Sequence, residues 1–106
     1  MAKIINISDK LSLSRPTIAV GEKEYVVNDS IETVLKFEEV SGDGEIQSML
    51  EAMKIAFGEE AFNEIDFPRM SFMNIQVWFT AVMAAMQDMT YEEVEERFQN
   101  FRKGKN

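Results

Sequence analysis

Residues 72–89 read FMNIQVWFTAVMAAMQDM, and the way this stretch folds decides how the rest of the chain must pack. Phe72, Ile75, Phe79, Val82, Met86 and Met89 recur at alternating three- and four-residue steps, the spacing of one helix face that meets another helix. Gln76, Thr80 and Gln87 mark the opposite side, yet Met73 and Met83 lie beside them, where a purely structural helix would carry lysine or glutamate. Thioethers are unbranched and polarisable, so they suit a surface that accepts several apolar partners. The stretch therefore predicts a central helix with one face for the core and methionines left over for binding.

Working outward, Thr90-Tyr91-Glu92-Glu93 is a capping box that starts a last helix over about 91–102. Its inward face is expected to carry Tyr91, Val94, Phe98 and Phe101, with Arg97, Arg102 and Lys103 in the closing turns. Upstream, Phe67-Pro68 breaks the chain. Before the break, Glu59 to Ile65 forms a short helix with Ala61, Phe62 and Ile65 inward. Ile46, Met49, Leu50, Met53 and Phe57 make one face of a helix over about 44–57, capped by Asp43 and stopped by Gly58. Asn28, Asp29 and Ser30 offer caps for a helix over about 30–41, whose apolar set is Ile31, Val34, Leu35, Phe37 and Val40.

Thr17 to Val20 and Tyr25 to Val27 are two β-forming runs around Gly21 to Glu24, which signals a hairpin over 17–28. A lone hairpin is marginal in water, so it must pack on helices or find a third strand in the preceding arm or a neighbouring subunit. Residues 1–16, with Ile4, Ile5, Ile7, Leu11 and Leu13 among serines, read as that extended arm. The expected architecture is mainly α: a compact bundle of four to five helices, with the arm and a β-hairpin in front, residues 17–106 forming one domain.

The inventory narrows function. The chain has 106 residues with no cysteine and no histidine, so thiolate chemistry, disulfides and the usual neutral-pH base are missing. A net charge of −8 repels phosphate backbones and anionic lipid, so neither nucleic acid nor membrane is an expected partner, and no cofactor is expected. No apolar run at the start has the length of a signal peptide or membrane span, so a cytoplasmic protein is expected. Glu38-Glu39, Glu59-Glu60 and Glu92, Glu93, Glu95, Glu96 could be paired carboxylates for acid–base work or a cation, but they read better as solvated helix faces. Gly42-Asp43-Gly44-Glu45 lacks both the alternating oxygens of a calcium loop and the lysine of a phosphate loop, and reads as an interhelical turn. Trp78, Met49, Met53, Met86 and Met89 read first as core. The candidate partner-binding set is Met70, Met73, Trp78 and Met83, with Met53 as the contribution of the second helix to a groove shared with the long one.

Several strings resemble the small tail assembly chaperones of long-tailed bacteriophages and prophages of Gram-positive hosts. They are Ile5-Asn6-Ile7-Ser8-Asp9-Lys10-Leu11, Tyr25-Val26-Val27-Asn28-Asp29-Ser30 with Thr33-Val34-Leu35-Lys36-Phe37, Ala56-Phe57-Gly58-Glu59-Glu60-Ala61-Phe62, and Tyr91-Glu92-Glu93-Val94-Glu95-Glu96-Arg97-Phe98. The resemblance implies a non-enzymatic protein of the host cytoplasm that keeps the tape measure protein soluble and is absent from the mature virion. It also implies a longer frameshifted form that recruits tail tube protein, and Arg102-Lys103-Gly104-Lys105 can be encoded by slippery runs of A and G. The residues themselves leave open a homo-oligomer, a structural virion or tail subunit that exchanges strands through arm and hairpin, and an acidic regulator that mimics nucleic acid.

Overall fold

The structure, a computed structural model, describes residues 3–12 and 14–103, with side chains described as far as Phe98. Leu13, the inward placement expected of Phe101, the closing cations Arg102 and Lys103, and the basic end lie outside what is described. The elements are β1 (Thr17–Val20), β2 (Lys23–Val26), α1 (Ile31–Ser41), α2 (Ile46–Phe57), α3 (Glu59–Ile65), α4 (Phe72–Gln87) and α5 (Tyr91–Lys103). Short 3₁₀ turns lie at Ser8–Lys10 and Phe67–Arg69. The protein is mainly helical with a small antiparallel hairpin.

The hairpin turns on two residues, not four: Val20 pairs with Lys23, leaving Gly21 and Glu22 as the loop. Gly21 has φ +62°, and a glycine at the first central position is what a type II′ turn requires. Ile18 and Tyr25 pair across the strands and turn toward the helices, so the two-stranded sheet is stabilised by packing. Beyond β2, Val27 is fully buried, its N–H donates to Pro16 O, and the Asn28 N–H donates to Ala56 O at 3.0 Å. The hairpin is thus tied to the end of α2.

Ser30 caps α1 by accepting from the Thr33 N–H. The core face of α1 is narrower than its composition implies: Phe37 is buried and Val34 and Val40 are half-buried, while Ile31 and Leu35 stand exposed. These last two sit one turn apart on the outer side, off the row that faces α2. Asp43 does not cap α2 directly. Glu45 occupies the cap position, and Asp43 instead braces the turn, its carboxylate accepting from the Glu45 N–H at 2.9 Å and the Ser48 hydroxyl at 3.0 Å. Gly58 ends α2 at φ 88°, ψ 162°, a region open essentially only to glycine.

The core joins Val27, Phe37, Ala52, Met53, Ala56, Phe67 and Val82, with Ile18, Leu50, Phe57, Phe62 and Trp78 among the side chains packed on it. Trp78 sits edge-on to Phe67 at 5.2 Å, to Phe57 at 5.7 Å and to Tyr25 at 6.0 Å, the geometry aromatic quadrupoles prefer. Phe37 stacks on Phe79 at 5.2 Å and joins α1 to α4. Burial pushes the Tyr25 hydroxyl above its ordinary range, and the Glu64 carboxylate beside it adds to the shift.

Helix α4 stops at Gln87, two residues before the apolar pattern does, because Asp88 turns into the left-handed region at φ 55°. The Met89 N–H then donates back to Ala84 O at 2.9 Å. α5 begins with the expected capping box: the Thr90 N–H donates to Glu93 Oε1 at 2.9 Å and the Glu93 N–H to Thr90 Oγ1 at 3.1 Å. The donated bonds at Thr90 hold the Glu93 carboxyl below its usual range, with Arg97 adding to the effect. α5 packs on α4, and Arg97 reaches back to Gln87 Oε1 at 3.0 Å and Met89 Sδ at 3.3 Å.

Candidate functional site

That packing explains why α4 is apolar nearly all round. Thr80 and Ala84, on the side that Gln76 and Gln87 mark as polar, are buried. On this side the later half of α4 is buried and the first half is bare. Phe72, Met73 and Val77 are exposed there, Met73 at 73%.

An open groove of about 410 Å³ follows, lined by Met73, Val77 and Phe79 of α4, Tyr91 and Phe98 of α5, and Met49 of α2. Its polar edge is Ser41, Gly44, Gln76, Thr80 and Glu95. Two of those groups are already satisfied within their own helices: the Thr80 hydroxyl donates to Gln76 O at 2.8 Å and the Ser41 hydroxyl to Phe37 O at 2.7 Å. A hydroxyl committed to its own helix reads little of a ligand. What the groove offers is apolar width with a carboxylate at the rim, which suits an apolar helix face better than a polar small molecule.

The five expected binding residues do not converge. Met73 alone lines this groove. Met53 is 0% exposed at the centre of the core and has no surface to give a partner, which corrects its place in the candidate set. On the i, i+3, i+4, i+7 face of α2 that it shares, Met49 is buried and Leu50 half-buried, while Ile46 at the start stands exposed. Trp78 is half-buried in the aromatic cluster, on another side of α4. Met70 is half-buried against the core from the link into α4. Met83 packs beside Val34, Phe37 and Met86 under α1. Missing from the expectation were Tyr91, Glu95 and Phe98. Their helical spacing was legible, but which part of α4 they border depends on how the α4–α5 link turns.

A second depression, about 600 Å³, lies under the base of the arm and is walled by Ser12, Ser14, Arg15, Asp29, Ser30 and Asp88 with Pro16, Ala85 and Met86. Arg15 and Asp29 pair across it at 3.6 Å, so it is polar and partly self-satisfied. Among the described residues no three carboxylates cluster closely enough to hold a metal ion, and no helix is long and apolar enough to cross a membrane. Comparisons with protein-family models, with curated proteins and with solved structures return no match.

Proposed function

We propose that this chain is a non-enzymatic binding module that shelters apolar helical segments of another protein in the α4–α5 groove. More particularly, we read it as a tail assembly chaperone of a long-tailed phage or prophage, with the tape measure protein as its client. The observation that carries the reading is the exposed Met73–Val77 face of α4, bounded by Met49, Tyr91 and Phe98, in a chain of net charge −8. A flexible thioether on an apolar wall adapts to many helix faces, and a strongly acidic exterior keeps a loaded complex dispersed. The satisfied hydroxyls of Ser41 and Thr80 fit a site that selects by apolarity and not by a fixed hydrogen-bond pattern.

The role belongs to assembly in the host cytoplasm, with the protein absent from the finished particle. A frameshifted longer form that engages tail tube protein is part of the same proposal. The test is co-expression with the tape measure protein of the same gene cluster. The wild-type chain should carry that protein into the soluble fraction, and a Met73→Glu, Val77→Glu variant should not while melting as the wild type does. A client that stays insoluble with the wild-type chain, or is equally soluble with the variant, overturns the reading.

A further inference from the structure

The arm and the groove are complementary in two independent respects. Ile4, Ile5, Ile7 and Leu11 are 89, 72, 52 and 59% exposed, so the arm carries a run of large apolar side chains that its own chain leaves uncovered. Apolar residues gathered in this way mark an interaction surface more often than a solvated tail. Charge is the second respect. Lys3, Lys10 and Arg15 against Asp9 leave residues 1–15 at +2, so the rest of the chain stands at −10. Lys3 and Lys10 bracket the isoleucines of the arm. The groove is apolar inside with Glu95 at its rim, Asp43 and Glu45 flank its Gly44, and no lysine or arginine is among its described lining residues.

The arm leaves the body at the other end of α4: Pro16 O is held by the Val27 N–H at 2.9 Å, and Arg15 by Asp29, beside Met86 and Asp88. The groove lies at Met73–Thr80, about two to four turns back along the same helix. We propose that residues Lys3–Leu11 of one copy seat in the α4–α5 groove of a second copy, isoleucines on Met73, Val77 and Phe98, lysines on the rim carboxylates. The free protein is then a self-assembly linked by its arms. This inference is independent of the client reading, because it concerns purified protein alone.

The lack of cysteine makes the contact directly readable. An Ile5→Cys chain and a Met73→Cys chain, one carrying a mass tag, are mixed and mildly oxidised. The expected product is the mixed disulfide, in excess over both same-variant dimers, falling by about tenfold when Lys3→Glu and Lys10→Glu are added to the arm chain. Random pairing of the three dimers, or a mixed yield unmoved by charge reversal, overturns the proposal. So does an Ile5→Cys, Met73→Cys double variant that closes within a single chain at low concentration. Sedimentation of the unaltered protein supplies a second measurement: association that grows with concentration and weakens with salt is expected, and a monomer at every concentration overturns the proposal.

Discussion

Met53 and Met73 belong to the same residue type and sit on adjoining helices, yet one is sealed in the core and the other is the most exposed methionine on α4. Around Met53, α1, α2, α4 and the hairpin close from several directions, and the aromatic cluster of Trp78, Phe67, Phe57 and Tyr25 completes the seal. Around Met73, α5, the α1–α2 turn and Met49 of α2 border the groove without closing it. Thioether content therefore does not distinguish packing from binding. What distinguishes them is how many elements cover the site.

The contrast can be broken first at the core. Phe67→Ala should cost about 3–5 kcal/mol and Met53→Ala about 2–5 kcal/mol, read by denaturant unfolding, because both leave cavities in a closed cluster. A Met53→Ala loss near zero would place Met53 outside the core. Next in size is the α5 cap: Thr90→Ala should cost about 1 kcal/mol and loosen α5, measured as faster amide exchange in its first turn.

The same cap also responds to pH. The folded pKa of Glu93 is depressed below the ordinary value of about 4.5, so its contribution is full above that value and is lost as pH falls through the folded value. Glu93→Gln should therefore flatten the dependence of Tm on pH below about 4.5. An identical acid slope in both proteins would remove Glu93 from the account. The smallest effect on stability belongs to the groove, where Met73→Glu should change unfolding by less than about 0.5 kcal/mol.

Much of the fold was legible because it rests on local chemistry. The Thr90–Glu93 box, the Ser30 cap and the Gly58 stop each state their geometry in a few residues. Less legible were features that depend on backbone reversals at ordinary residues. Asp66 and Asp88 both adopt positive φ, and nothing in their neighbourhood demands glycine or asparagine there. The Asp88 reversal ends α4 early and α5 packs back on α4, and on the side with Gln76 and Gln87 the residues Thr80 and Ala84 are interior.

The candidate site divides along the same line. Met73 was recognisable because an apolar residue among polar neighbours on a helix is visible from spacing alone. Met83 obeyed the same rule and is nonetheless packed, because α1 approaches that part of α4. Tyr91, Glu95 and Phe98 could be assigned to α5 but not to a groove until the two helices were placed together.

On the proposed function, the Met73 wall receives the client while the Met53 core stays closed. Methyl NMR of the eight methionines, assigned by single substitution, tests it directly during titration with helical tape measure segments. The Met73 signal is expected to shift and broaden in a saturable way with Met49 following, while Met53 stays in place. A stationary Met73, or a Met53 that moves as far as Met73, would contradict the proposal.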